Sequence, residues 1–314
     1  MMNDLERSSV RDLIDKKKKK KRGISQIAEK GMPAFFLLCA VVSILTTFGI
    51  IFTLVFETGQ FFSQVSIIEF ITSAEWYPMH NDPSFGIRPL IVGTLTIAVI
   101  AMCIAIPIGL ASAIYLSEYA SERSRKIIKP ILEVLAGVPT IVYGFFALTF
   151  VTPILQEIIP GLAIYNALSP GIVVGIMIIP MIASLSEDAM SAVPNSMREG
   201  AFAMGATKFE VAIKVVLPAA LSGVVASFVL AISRAIGETM IVTVAGGSNP
   251  TSTIDITNAV QTMTAYIVQI SLGDAGYATT EYYSIYAVGM TLFLFTLLMN
   301  LTAYVISRRF REVY

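Results

Sequence analysis

Six long apolar stretches alternate with polar segments along the chain, and this pattern predicts its architecture. A helix rises about 1.5 Å per residue, so about 20 apolar residues cross a hydrocarbon core of about 30 Å. The pattern therefore predicts an all-α polytopic membrane protein with six transmembrane helices, of which the fourth is the shortest. We place the helices near residues 34–56, 90–116, 130–156, 170–186, 219–246 and 285–307.

Composition supports this fold class. Hydrophobic residues make up 55% of the 314 residues, charged residues only 14%, and the mean hydropathy is +0.74. Soluble domains carry about 25% charged residues, so a soluble globular protein is excluded. Cys39 and Cys103 fall in separate apolar stretches and His80 is the single histidine, which argues against a disulfide framework or a metal site.

The positive charges predict the orientation in the membrane. Twenty of the 22 lysines and arginines lie in the N-terminal segment, in 117–129, in 187–218 and in the C-terminal tail. Basic loops stay on the cytoplasmic side, so both termini are predicted to be cytoplasmic. The lysine-rich N-terminus is expected to lie near anionic membrane lipid, and its lack of interleaved aromatic residues argues against nucleic-acid binding.

Helices and charges together predict the domain organisation. The predicted parts are a basic cytoplasmic segment at 1–32, the first transmembrane helix at 33–56, an extracytoplasmic segment at 57–89, a core of five transmembrane helices at 90–310 with a cytoplasmic loop at 187–218, and a cytoplasmic tail at 311–314. A further extracytoplasmic segment, 247–284, has apolar residues at helical spacing between Val260 and Ile270, which predicts a short helix. This helix is either a packing element or a docking surface.

The fifth apolar stretch holds two ionisable residues, Arg234 and Glu238. On a continuous helix, a spacing of four places both side chains on one face. A charge at the centre of a membrane helix costs about 2.5–3.5 kcal/mol, so each needs a partner or a polar ligand. One interpretation is a structural ion pair. The other is an anion path, in which Arg234 binds an oxyanion and Thr239 and Thr243 add hydroxyl contacts.

Glu238 fits an anion path only if the anion carries a proton. Phosphate near neutral pH carries at least one hydroxyl, whereas sulfate carries none. Glu238 is therefore expected to accept a hydrogen bond from phosphate, to repel sulfate and to keep Arg234 from holding the anion too tightly.

The loop 187–218 contains the sequence Arg198 to Pro218, in which a short helix leads to a glycine turn and a second amphipathic stretch. It resembles the EAA loop of ABC-importer permeases, with Gly200 in place of the usual alanine and Val215 in place of isoleucine. Five positions match at the spacing of that motif: Glu199, Ala201, Gly205, Leu217 and Pro218. The resemblance implies a coupling helix that contacts a partner ATPase.

A second motif narrows the resemblance. The segment Ser233 to Met240, with the sequence Ser-Arg-Ala-Ile-Gly-Glu-Thr-Met, resembles the C-type (PstC-like) permease subunits of phosphate importers. Met240 favours the C type over the paired A type, which has alanine there. The resemblance covers roughly residues 34–310.

What the resemblance implies is an integral permease subunit in the cytoplasmic (inner) membrane of a prokaryote. It is expected to pair with a homologous A-type permease, an ATPase dimer and an extracytoplasmic phosphate-binding protein. This chain is then not an enzyme and binds no cofactor. It has no Walker sequence, so ATP and Mg²⁺ belong to the partner ATPase.

Three alternatives stay open. The first is the same architecture for another oxyanion, such as sulfate or molybdate. The second is a secondary carrier driven by an ion gradient, which leaves the EAA-like loop unexplained. The third is a membrane enzyme, which is disfavoured because Glu133 and Glu238 are the only acidic residues expected near lipid depth and no nucleophile–base set accompanies them.

Overall fold

The computed structural model describes the backbone of residues 3–309 and side chains from residue 31 onward, except those of residues 274, 303 and 306–309. The predicted tail at 311–314 lies outside the described residues. The chain divides into two units, residues 1–56 and 57–314. The helices are α1 (Asn3–Phe62), α2 (Ile67–Thr72), α3 (Arg88–Ile114), α4 (Glu122–Gly137), α5 (Thr140–Phe146), α6 (Thr152–Ile158), α7 (Leu168–Ser191), α8 (Asn195–Ala203), α9 (Lys208–Val211), α10 (Leu217–Ala219), α11 (Leu221–Ile236), α12 (Met240–Ala245), α13 (Met263–Gln269) and α14 (Thr280–Arg309).

Residues 3–309 also contain two further kinds of element. The strands β1 (Trp76–Tyr77) and β2 (Ser84–Phe85) form a two-residue antiparallel pair. Four π-helical turns, in which the helix widens by one residue, continue neighbouring helices. They are π1 (Tyr115–Tyr119), π2 (Ala147–Val151), π3 (Ala212–Val216) and π4 (Ile270–Asp274).

Within the described residues, five helical stretches are long and apolar enough to cross a membrane, and a sixth span results if one bent pair is counted. The five are Gly31–Phe62, Arg88–Tyr119, Thr140–Ile158, Leu168–Ser191 and Thr280–Thr302. The bent pair, Lys208–Ala219 and Leu221–Ile236, turns by 74°. This agrees with the predicted number of spans, although several boundaries differ.

The first unit contributes a single long helix. Residues 33–56 were predicted to span the membrane, and helix α1 runs through them and on to Phe62. The polar residues Glu57 and Thr58 do not end the helix, because both can keep the backbone hydrogen bonds of a helix. Most of its side chains between residues 31 and 56 are exposed and apolar, as expected for a helix surrounded by lipid.

The third span begins later than predicted. Residues 130–156 were expected to form one helix, but α4 ends at Gly137 and the membrane-spanning stretch starts at Thr140. The cause is Pro139, since a proline disfavours the helical conformation of the preceding residue. Val138 is accordingly extended, with φ −66° and ψ 131°.

The fourth span is longer than predicted. Residues 170–186 were expected to be helical, and α7 covers Leu168 to Ser191. Its last turns pass Glu187, whose side chain is only 2% exposed. The sequence prediction ended the span at residue 186, just before the adjacent acidic residues Glu187 and Asp188.

The core of the second unit is the pair α3 and α7. Alanines along α3, including Ala98, Ala101 and Ala105, are buried against Val174 and Ile178 of α7. Small residues let two membrane helices approach closely. Since lipid gives no hydrophobic effect between helices, this close van der Waals packing holds them together. Helix α11 packs on α7 in the same way, and the hydroxyls of Ser186 and Ser227 are hydrogen-bonded at 2.7 Å in this interface.

The end of the bundle that holds the strands is closed by aromatic residues. Trp76 packs edge-to-face against Tyr266 at 4.8 Å, and also contacts Phe70 and Phe85. The predicted helix between residues 260 and 270 is confirmed as α13, and its residues Met263 to Tyr266 are buried. Its apolar stripe therefore packs inward, which is the simpler of the two roles expected for it.

A close approach between α3 and the segment before α13 gives the first prediction. A Cβ atom on Gly93 would lie 2.3 Å from the backbone oxygen of Gln261, whereas one on Gly137 would meet nothing within 4 Å. We expect Gly93→Ala to destabilise the protein by about 1–3 kcal/mol through overpacking. Thermal unfolding in detergent should show a lower Tm for Gly93→Ala, with Gly137→Ala as the matched control. Equal Tm values for the two variants would contradict the packing described.

Candidate functional site

The fifth span is broken at its middle. Residues 219–246 were predicted to form one helix, but α11 ends at Ile236 and α12 begins at Met240. Gly237 closes α11 by donating its N–H to the oxygen of Ser233 at 3.1 Å. The expectation that Arg234 and Glu238 share one helix face is therefore wrong, because Glu238 lies beyond the end of α11.

Glu238 stabilises the break. Its side chain is 7% exposed, and Oε1 accepts a hydrogen bond from the backbone N–H of Ile241 at 3.3 Å. Its own backbone oxygen accepts from the hydroxyl of Thr264 on α13 at 2.7 Å. The first N–H groups of a helix have no partner within that helix, so Glu238 satisfies one of them. Its second carboxylate oxygen, Oε2, makes no hydrogen bond with any described residue.

Arg234 lies in the last turn of α11, where a positive charge is favourable to the helix dipole. Its side chain is exposed and makes no hydrogen bond or ion pair with any residue that the structure describes. The neighbouring Ser233 donates to Oδ1 of Asn300 on α14 at 2.9 Å. No described residue therefore occupies the guanidinium beside the break.

Thr239 and Thr243 use their hydroxyl hydrogens within the break. Thr239 donates to the oxygen of Gly237 at 3.2 Å, and Thr243 donates to the oxygen of Thr239 at 2.6 Å. Their oxygens remain as acceptors, which suits a protonated oxyanion rather than a fully ionised one. The structure thus brings Arg234, Glu238, Thr239 and Thr243 to one break, and their contact with a substrate stays a prediction.

Helix α12 is held close to α5. A Cβ atom on Gly144 would lie 3.0 Å from Cβ of Val244 and 3.2 Å from the backbone oxygen of Met240. A larger residue at position 144 would push α12 away from α5. The position of the break therefore depends on this small residue of the third span.

The loop that resembles the EAA motif forms a compact helical hairpin. Helix α8 contains Glu199 and Gly200, both exposed, and Ala201, which is half-buried. Gly205 follows with a φ of +83°, a conformation that favours glycine. Leu217 packs against a buried cluster that includes Val211 and Val216, and Pro218 stands in the first turn of α10.

The hairpin exposes apolar side chains at its tip. Met204 is 88% exposed, and Phe202 and Phe209 are also exposed. A cluster of large exposed apolar residues outside the apolar spans indicates a surface that another protein covers. The tip is therefore suited to contact a partner.

Two buried carboxylates at this end escaped the sequence prediction. Glu187 pairs with Lys129 of α4 at 2.5 Å, and Glu118 of π1 pairs with Arg198 at 3.0 Å. The close contact with the Glu187 carboxylate raises the pKa of Lys129 above its ordinary value of 10.5. Both carboxylates lie at the ends of spans on the side rich in lysine and arginine. In the sequence, acidic residues close to basic segments could have indicated these ion pairs.

Three features of the described residues indicate a membrane transport permease: an apolar helical bundle, a broken span whose arginine pairs with no described residue, and an exposed hairpin at one end. Residues 105–312 match the family described as binding-protein-dependent transport system inner membrane component. The chain belongs to this family. It is thus a multi-pass inner-membrane protein, and the orientation of its termini stays a prediction.

Curated relatives carry permease names. The chain is 33% identical over 318 residues to the probable ABC transporter permease protein YqgH of Bacillus subtilis (strain 168), which covers 98% of this chain and 99% of that protein. It is 33% identical over 254 residues to the phosphate transport system permease protein PstC of Xylella fastidiosa (strain 9a5c), which covers 74% of this chain and 76% of that protein. The predicted resemblance is therefore confirmed.

Solved structures show the same fold. A bacterial alginate ABC transporter, solved in complex with an alginate pentasaccharide-bound periplasmic protein, aligns with a TM-score of 0.60 at 17% identity over 90% of this chain and 98% of the other. This confirms the predicted importer-permease fold. In this family the ATPase is a separate subunit, so the chain is a transport subunit and not an enzyme.

The hairpin yields a prediction about pH. Glu210 forms a capping box with Thr207 and an ion pair with Lys214 at 3.0 Å. The backbone N–H of Thr207, then the Lys214 ammonium, lower the pKa of Glu210 from its ordinary value of 4.5 to about 2. A lowered pKa means that the stabilisation is present above about pH 4.5 and is lost as the pH falls through about 2.

We expect the carboxyl-carbon NMR signal of Glu210, assigned with Glu210→Gln, to titrate near 2. Lys214→Gln should raise the midpoint of the Glu210 titration, because it removes the ammonium group that helps to lower the pKa of Glu210. A wild-type midpoint at the ordinary value would show that the capping box does not hold the carboxylate.

Proposed function

We propose that the chain is a permease subunit of an ATP-driven importer that carries inorganic phosphate across the inner membrane. The single observation that carries the proposal is the free guanidinium of Arg234 beside the break in the fifth span. Relatives named phosphate transport system permease protein support the choice of substrate.

Arg234 supplies what a passing phosphate needs. Its planar fork fits two oxygens of one phosphate, and its charge persists at every physiological pH. An arginine already paired within the chain would have to break that pair to bind an anion. Arg234 has no such contact with a described residue, so binding requires no exchange of partners.

Glu238 provides discrimination among oxyanions. Its Oε1 is held by the N–H of Ile241, which leaves Oε2 to accept a hydrogen bond from a phosphate hydroxyl. Thr239 and Thr243 present acceptor oxygens beside it. Sulfate at neutral pH has no hydrogen to donate to these acceptors. The Glu238 carboxylate therefore repels it, and no hydrogen bond offsets the repulsion.

The exposed hairpin serves as the contact with the ATPase dimer. Phe202, Met204 and Phe209 offer an apolar surface, and Glu199 stands exposed beside them. In this proposal both termini and the hairpin are cytoplasmic, as the distribution of lysine and arginine favours. ATP and Mg²⁺ are bound by the ATPase, and this chain binds no cofactor.

The other partners are a homologous A-type permease, an extracytoplasmic phosphate-binding protein and membrane lipid. In the proposed cycle, ATP-driven closure of the ATPase moves the hairpin and opens the path at Arg234 to the outside. The binding protein delivers phosphate there, and hydrolysis of ATP resets the path. A carrier driven by an ion gradient would instead keep working without the ATPase.

Substitution of Arg234 tests the path. In proteoliposomes that hold the complete transporter, we expect Arg234→Gln to lower phosphate uptake by at least roughly tenfold, because a hydrogen bond to a charged group contributes about 1.5–3 kcal/mol. Assembly should be unchanged by copurification. Arg123→Gln is the matched control, since Arg123 is an exposed arginine of α4 away from the break. Normal uptake by Arg234→Gln would refute the proposal.

Substitution of Glu238 tests the selectivity. Glu238→Gln removes the negative charge and keeps an oxygen that accepts from Ile241 N–H. We expect sulfate and molybdate to compete more strongly with phosphate uptake in this variant than in the wild type. Competition curves with unchanged inhibition constants would show that Glu238 does not discriminate by protonation. If molybdate or sulfate rather than phosphate is taken up by the wild type, the substrate class is right and the substrate is wrong.

A further inference from the structure

Arg198 is the residue of α8 next to Glu199, and it connects the hairpin to the end of α3. Its Nε and Nη2 atoms donate to Oε1 of Glu118 at 3.2 and 3.0 Å. Glu118 belongs to π1, which continues α3. The two side chains are only 14% and 6% exposed, so water screens this ion pair weakly.

The same guanidinium reaches the end of α7. Its Nη1 donates to the backbone oxygen of Val193 at 2.6 Å, and Nη2 donates to that of Met190 at 2.8 Å. The Met190 oxygen also accepts the backbone N–H of Val193 at 3.2 Å, so Arg198 adds a second, charged donor where the chain leaves α7. One side chain thus joins α8 to both helices of the core pair.

Helix α8 has few other fixed contacts with the bundle. None of its described residues is fully buried, and Met197 and Ala201 are half-buried against the cluster around Val211. Such a helix can shift over an apolar surface, because apolar contacts have little directional preference. The hydrogen bonds of Arg198 have fixed directions and oppose that sliding.

The turn π1, which contains Glu118, is also bound by a second arginine. Arg125 of α4 donates to the oxygen of Leu116 through Nη2 at 2.7 Å and through Nε at 3.2 Å. A π-helical turn leaves carbonyls free for such contacts, and Ala120 closes the turn by donating to Tyr115 at 2.8 Å. Thus π1 lies between two arginines, one on α4 and one on the hairpin.

We propose that Arg198 is the positioning residue through which movement of the hairpin is passed to α3 and α7. The proposal rests on the ATP-driven function above and names the residue on which coupling depends. If the contact served stability alone, charges would not be required, since replacing a buried ion pair with apolar residues is often neutral or stabilising. A planar fork bonded at once to three residues outside α8 instead fixes the position and angle of α8 relative to both helices.

The first test measures movement directly in the complete transporter. Spin labels are placed on Ser196, an exposed residue of α8, and on Ile108, an exposed residue of α3, after Cys39 and Cys103 are replaced by alanine. With an intact Arg198, the distance between the labels should be the same without nucleotide and with ATP plus vanadate. In Arg198→Gln it should change between these states, because the hairpin moves without α3.

The second test measures coupling. In Arg198→Gln we expect the phosphate transported per ATP hydrolysed to fall by at least about fivefold, within the usual range of coupling between sites. Copurification with the ATPase and the basal rate of ATP hydrolysis should be retained. Arg198→Lys should recover part of the loss, because it keeps the charge but not the fork. Lys214→Gln, which removes an exposed ion pair of the same hairpin, is the control and should change little.

The outcomes separate the two proposals. The role of Arg198 would be overturned if Arg198→Gln gave the same label-to-label distances as the wild type and the same phosphate transported per ATP hydrolysed. Loss of the ATPase from the purified complex would also overturn it, since the residue would then be structural. If the wild-type transporter hydrolyses ATP but moves no phosphate, the proposed substrate is wrong, and the label distances still decide the role of Arg198.

Discussion

A break inside a membrane span must satisfy its own backbone groups, because lipid offers no water to bind them. The break between α11 and α12 meets this requirement with side chains. Glu238 accepts from the N–H of Ile241, the hydroxyl of Thr239 binds Gly237, and the hydroxyl of Thr264 binds the oxygen of Glu238. The polar residues Glu238 and Thr239 therefore stabilise the break itself. They lie beside Arg234 as a consequence of that role.

This explains which parts of the site could be predicted from the sequence. Arg234 was recognisable because it is the one basic residue within an apolar stretch, and the cost of burying a charge makes such a residue unusual. The break itself was not recognisable, since one glycine followed by two polar residues is tolerated within a helix. Only the tertiary contact with α13 shows that the backbone of Glu238 has a partner outside its own span.

The number of spans in the fold could be predicted from the sequence, but their boundaries could be predicted only in part. Apolar stretches and basic loops indicated six spans, because hydropathy records the energetic preference of whole segments for lipid. Boundaries were less predictable. Pro139 delayed the third span, a signal that the sequence contained, whereas Glu187 stayed inside the fourth because Lys129 of another helix neutralises it. A charge that is paired across elements cannot be distinguished from a loop charge until the pair is seen.

The hairpin and the break are joined by a single element. Helix α11 begins immediately after α10 and ends at the turn that carries Arg234, so its 16 residues form a rod about 24 Å long. The helix is bound to α7 through Ser227 and Ser186, and a Cβ atom on Gly223 would lie 2.5 Å from Cβ of Ala189. Such close packing resists sliding, because interiors at this density tolerate little change in spacing. If the hairpin moves α7 as proposed, this packing requires α11 and the guanidinium of Arg234 to move with it.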